Sequence, residues 1–209
     1  MRAAVGLGIA LCLVVPATEA GAQSRAAVGA QVGYSRSDLT GANADLVQSR
    51  QGAVTGVYLH LPLHRTLGVR PELLFSLKGG RVVAGAAGGE TVIIDIELAY
   101  LELPLLAWAT LPAGRFRPAV FGGPSAAVQI GCDFQIIVPD STNRVTCGED
   151  NVTGVRDFDL GFIAGAALQM HLPRTTLALQ GRYSTGIRSV LEEVDLRNRG
   201  FALLFGLTF

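Results

Sequence analysis

Charge, aromatics and cysteine are all scarce in this 209-residue sequence: charged residues make up 16%, aromatics 7%, and there are 3 cysteines. Lys and Arg number 17, and so do Asp and Glu. That balance removes any electrostatic reason to expect a nucleic acid or an acidic partner. Beyond the N-terminal leader there is no apolar run of about 18 residues, so no helix is long and greasy enough to span a bilayer. The histidines, His60, His64 and His171, form no His-Glu-x-x-His pattern, and neither a phosphate-binding Gly-x-x-x-x-Gly-Lys loop nor a Gly-x-Ser-x-Gly elbow occurs. The expectation is therefore no cofactor, no metal and no enzymatic activity. What is abundant is glycine, 26 residues, in a chain that is 49% hydrophobic. That mixture suits many strands whose two faces differ.

The N-terminus reads as a secretory signal peptide over residues 1–22. Met1-Arg2 is a short basic start, Ala3 to Val15 is apolar, and Ala20-Gly21-Ala22 is a small-residue cleavage box. Cleavage falls after Ala22 or Ala20. Cys12 lies inside the apolar stretch, so it is not a lipoprotein cysteine. Residues 23–209 then make one domain. An exported membrane protein without a spanning helix has to cross as a closed barrel, because every backbone polar group in lipid needs an internal partner.

The last eleven residues, Arg199 to Phe209, alternate with a period of two. Phe201, Leu203, Phe205, Leu207 and Phe209 share one parity; Gly200, Ala202, Leu204, Gly206 and Thr208 share the other. A soluble domain avoids a bare apolar edge strand, whereas a barrel in lipid requires an apolar outer face. This segment resembles the C-terminal recognition strand of bacterial outer-membrane barrels. That resemblance implies that Phe205, Leu207 and Phe209 form an assembly signal read by the barrel assembly machinery.

Eight strand-like segments recur: 25–35, 51–62, 67–79, 94–109, 115–130, 157–171, 175–188 and 199–209. Connections after the second, fourth and sixth are tight, as in Leu63-His-Arg-Thr66. Those after the first, third, fifth and seventh are long and rich in Gly, Asn and Asp. Alternating short and long connections predict an all-β, eight-stranded, antiparallel up-and-down transmembrane barrel, with short turns facing the periplasm and long loops outside. Tyr34, Phe75, Phe158, Tyr183 and Phe201 fall on the lipid parity near the long-loop end, as a girdle. Pro71, Pro104, Pro118 and Pro124 lie inside predicted strands, which calls for bulges or strand-end positions.

Several segments carry a family resemblance. Pro71-Glu-Leu-Leu-Phe-Ser-Leu-Lys-Gly-Gly80, Tyr100-Leu-Glu-Leu-Pro-Leu-Leu106, Phe121-Gly-Gly-Pro124, Asp159-Leu-Gly161 with Gly165, and Arg182-Tyr-Ser-Thr-Gly186 together resemble the outer-membrane β-barrel family that includes PorT-like proteins. The order and spacing carry the match over nearly the whole mature chain. The resemblance implies a small eight-stranded barrel in the outer membrane, without a cofactor.

Charged side chains sit on the inward parity: Arg70, Glu72, Lys78, Glu102, Arg117, Asp159, Arg182 and Arg188. Eight strands leave an interior that side chains just fill, and buried charges need partners. These residues are read as an ion network plugging the lumen, leaving a structural or interaction role to the outer loops and their extracellular or envelope partners. The alternatives are a narrow passive path for small solutes and, further off, a lipid-modifying enzyme. A soluble lipocalin-like calyx would need an apolar interior, which the charged parity opposes. Cys132 and Cys147 lie in one polar stretch, 131–156, of an exported chain, so a disulfide is expected. It would close a loop of about 15 residues and stabilise by roughly 3 kcal/mol. The competing reading is two free thiols or a metal pair, and with no His or other Cys nearby in the sequence a metal site is not expected.

Overall fold

The computed structural model describes residues 26–41, 47–85, 91–138, 141–146, 158–187 and 196–209. Alternating sequence becomes strand throughout: β1 (Ala27–Gly41), β2 (Val47–Pro62), β3 (Leu67–Gly85), β4 (Thr91–Thr110), β5 (Phe116–Val138), β6 (Ser141–Thr146), β7 (Phe158–His171), β8 (Thr176–Gly186) and β9 (Leu196–Thr208). Every pairing is antiparallel, in the order β4-β3-β2-β1-β9-β8-β7-β5-β6, and β4 also pairs with β5. That last pairing closes eight strands into a barrel and removes the sheet edges that lipid would not tolerate. The ring is sealed between the two ends of the described chain, from Gly29↔Thr208 to Gly41↔Leu196.

Strand β6 stands outside the ring. It pairs only with the upper part of β5, from Asp133↔Thr146 to Val138↔Ser141. The expectation of a loop over this stretch is corrected: its polar residues do not alternate in hydropathy, yet the ladder continues in water. The same holds elsewhere at the long-loop end. β3 and β4 stay paired up to Gly85↔Thr91, and β5 runs for 23 residues, against the ~9–11 a tilted strand needs to cross. Ion pairs brace these extensions: Arg50–Glu97 at 2.8 Å and Arg81–Asp95 at 3.0 Å. The short turns are tight, with Leu63 N–H donating to Leu67 O at 2.9 Å and Leu172 N–H to Thr175 O at 2.8 Å. Gly114 supplies the left-handed residue of the β4–β5 turn, at φ 62°.

The faces separate as the parity predicts. Val32, Leu103, Leu105, Val120, Leu179 and Phe205 are exposed on the outside. So are the girdle residues Tyr34, Phe75, Phe158, Tyr183 and Phe201, with Tyr183 directly beside Phe201. A belt this apolar needs lipid around it. Buried inside are Trp108, Arg70, Tyr100, Leu74, Leu204 and Gln180.

The prolines do not sit at bulges. Pro71 faces Leu105, Pro104 faces Ser125 and Pro124 faces Phe162. Pairing lapses for two residues beside Pro104, between Pro71↔Leu105 and Leu74↔Glu102, then resumes in the same register. A missing N–H thus interrupts the ladder without shifting it. The register shifts occur elsewhere, between Ser49 and Val54 and between Ala99 and Tyr100. The second leaves Ile130 unpaired, because Ala99 faces Gly131 and Tyr100 faces Gln129. One extra residue flips the parity of β5. Below it Phe121 and Ala127 point inward; above it Cys132 does.

Candidate functional site

At the barrel's waist five polar side chains from three strands converge. Gln31 comes from β1, Arg70 and Glu72 from β3, and Gln180 and Arg182 from β8; all are buried. The Glu72 carboxylate accepts from Gln31 Nε2 at 2.9 Å and from Arg182 Nη1 at 2.9 Å and Nη2 at 3.4 Å. It also pairs with Arg70 Nε at 3.0 Å. Gln31 Oε1 accepts from Arg70 Nη2 at 2.9 Å and from Gln180 Nε2 at 3.2 Å, and Gln180 Oε1 accepts from Arg182 Nη2 at 2.9 Å. The loop of bonds closes on itself.

Two guanidiniums and one carboxylate leave this cluster with an excess positive charge. Aromatic faces answer it. The Arg70 guanidinium lies 3.3 Å from the Tyr58 ring centroid and 4.5 Å from that of Trp108. Trp108 is stacked on Phe121 at 4.5 Å, and Arg182 lies 5.5 Å from the Phe121 ring. Ring quadrupoles attract a desolvated cation by about 2 kcal/mol.

A second cluster sits toward the long loops. Lys78 Nζ lies 2.9 Å from Glu102 Oε1, Ser76 donates to the same oxygen, and Lys78 lies 5.4 Å from the Tyr100 ring. Above it a cavity of about 720 Å³, counting space open to solvent, is lined by Lys78, Glu102, Asp159, Arg182 and the hydroxyl of Ser35. On the opposite side of the waist a vestibule of about 900 Å³, counted likewise, opens at the short-turn end.

The structure therefore divides what the sequence grouped. Arg70, Glu72 and Arg182 come together; Lys78 and Glu102 form their own pair; Asp159 is buried beside the upper cavity. Arg117 is corrected from plug to rim: it lines the vestibule, and its Nε donates to Gly114 O at 3.2 Å. Its place near the start of β5 puts it below the waist. Arg188 and Cys147 lie outside the described residues, as does the leader, residues 1–22. Cys132 is buried opposite Leu98. Phe205 and Phe209 face outward, Leu207 shares their parity, and Phe209 N–H donates to Val28 O at 2.9 Å. Sequence reasoning missed Gln31, Tyr58, Trp108 and Gln180 as members of the waist. Their inward parity was the available signal.

The chain is similar to several solved structures at low identity. Ail, the attachment invasion locus protein of Yersinia pestis, is 13% identical, with 89% of this chain and 100% of that one covered and a TM-score of 0.43. Neisserial surface protein A is 12% identical over 89% and 100%, with a TM-score of 0.47. The outer membrane enzyme PagL is 12% identical over 84% and 97%, with a TM-score of 0.44. No curated protein matches the chain in sequence. The family model described as outer membrane protein beta-barrel domain matches residues 21–192. With its closed eight-stranded ring and apolar belt, the chain belongs to the outer membrane protein β-barrel domain family and resides in the outer membrane.

Proposed function

We propose that this protein is a closed, non-conducting and non-enzymatic barrel that serves a structural or interaction role through its long-loop hairpins. The observation that carries the reading is the waist cluster. Arg182 and Glu72 belong to strands on opposite sides of the ring and meet in its middle at 2.9 Å. A lumen crossed by bonded, buried side chains leaves no continuous water path. The partners are then the outer-membrane lipid, the barrel assembly machinery during insertion, and envelope or extracellular proteins at the hairpins. Within the family, the segments from Pro71, Tyr100, Phe121, Asp159 and Arg182 support a PorT-like relationship. A Cys132–Cys147 bridge would brace the β5–β6 hairpin; Thr146, the residue before Cys147, is the cross-strand partner of Asp133, the residue after Cys132. Liposomes carrying the protein should swell in a small sugar no faster than protein-free ones; sugar-dependent swelling would refute closure.

A second reading, a narrow passive channel, has one observation in its favour. Open cavities lie on both sides of the two bonded clusters, so the barrier is a layer confined to the waist and the Lys78–Glu102 pair. Swelling that disappears when the layer is cross-linked would support this reading.

A further inference from the structure

The charged side chains lining the short-turn vestibule are arginines, Arg65, Arg70 and Arg117. His60 of β2, Arg117 of β5 and His171 of β7 line it, the β2–β3 turn adds His64 and Arg65, and Arg70 forms its ceiling. All the histidines of the chain are gathered here. Among the described residues lining it there is no Asp or Glu. Among the described residues, the one carboxylate bonded to its ceiling is Glu72, which Arg70, Arg182 and Gln31 already surround. Arg117 makes no ion pair among the described residues, and His171 Nδ1 is buried without a hydrogen-bond partner.

We propose that this vestibule binds a phosphate-class oxyanion, free or carried on a small molecule. A cleft with low-dielectric walls and charge of one sign concentrates counter-ions. The donors come from several strands around the opening, and the hydroxyls of Thr110 and Thr176 add to them. An anion with several acceptor oxygens can use such a ring of donors at once, and a guanidinium fork matches its geometry. The site is walled off from the long-loop side by the waist, so the ligand enters from the periplasm.

Trp108, the one tryptophan of the chain, is a built-in reporter: its ring lies 6.4 Å from His60, edge to face, and 4.5 Å from the Arg70 guanidinium. The folded protein in phosphate-free detergent micelles would be titrated with inorganic phosphate and, separately, glycerol phosphate. Chloride would hold ionic strength constant, with calorimetry run beside the fluorescence. The expected result is saturable binding, weakened at least tenfold in both Arg117→Gln and His171→Gln and unchanged in Arg81→Gln, which lies at the other end of the barrel. Heat-modified gel mobility would establish that each variant is folded. Binding of inorganic phosphate alone identifies a free ion as the ligand class, and equal binding of glycerol phosphate identifies the phosphoryl group on a carrier; either supports the site. No saturable binding of either anion, or wild-type affinity in both vestibule variants, would overturn it.

Discussion

Arg182 on β8 and Glu72 on β3 meet across the lumen, Nη1 to Oε2 at 2.9 Å, with their side chains 4% and 0% exposed. Three strands separate them along either side of the ring. The pair is therefore a tie across the barrel, which backbone pairing between neighbours does not provide. Its energetic meaning lies in what happens when one member is removed. A buried charge left without its partner costs about 3–5 kcal/mol, and here Glu72 partners two guanidiniums.

Glu72→Ala should lower unfolding stability by about 3–5 kcal/mol. Adding Arg182→Ala should cost less than the sum of the single changes, with a coupling of ~0.5–3 kcal/mol. The pair Glu102→Ala and Arg182→Ala should couple more weakly, since Glu102 is bonded to Lys78 and Ser76. Urea unfolding followed by gel mobility measures both cycles. Equal coupling in both would show that the waist and the upper pair act as one network.

Gly29 on β1 makes room for the Tyr58 ring that covers Arg70. A Cβ there would stand 2.2 Å from Tyr58 Cζ, while the ring lies 3.3 Å from the guanidinium. Gly29→Ala should displace the ring and cost about 1–3 kcal/mol, the usual range for overpacking. Gly181→Ala, on the outer parity of β8 where the nearest atom is Phe201 Cζ at 3.6 Å, should be nearly neutral. Similar unfolding midpoints for the two variants would contradict the packing role given to Gly29.

Much of this was legible beforehand. Period-two alternation fixed the ring strands and their lipid face because both faces of a membrane barrel are constrained at once. Leu73 and Phe75 lie outward while Glu72 and Leu74 lie inward. The strand extensions and β6 were not legible, because outside lipid neither face of a ladder has to be apolar. Nor was the division of the charges. Parity says that Arg117 points inward, but not how far down the barrel it lies; that depends on strand stagger, which the register supplies. The turn of Cys132 to the interior depends on the unpaired Ile130, a bulge without a local sequence mark.

Cys132 and Cys147 should be bridged. Thiol reagents should label neither residue in the native protein until a reductant is added. Reduction should lower stability by roughly 3 kcal/mol at most. Labelling of both without reductant would show two free thiols.

The assembly role assigned to Phe205, Leu207 and Phe209 predicts a difference between adjacent residues. Phe209 is exposed on the lipid side, whereas the Thr208 hydroxyl lies 2.7 Å from the Tyr58 hydroxyl inside. Phe209→Asp should sharply reduce the fraction recovered in outer membranes, and Thr208→Val should leave that fraction near the unmodified level. Equal recovery of the two would remove the special role of Phe209.

The central claim, that the waist seals the lumen, is tested most directly by single-channel recording in planar bilayers. The unmodified protein should show no steady conductance, and Glu72→Ala combined with Arg182→Ala should show discrete openings, since that pair removes the cross-barrel tie. Well-defined, stable openings from the unmodified protein would contradict the account and establish a channel.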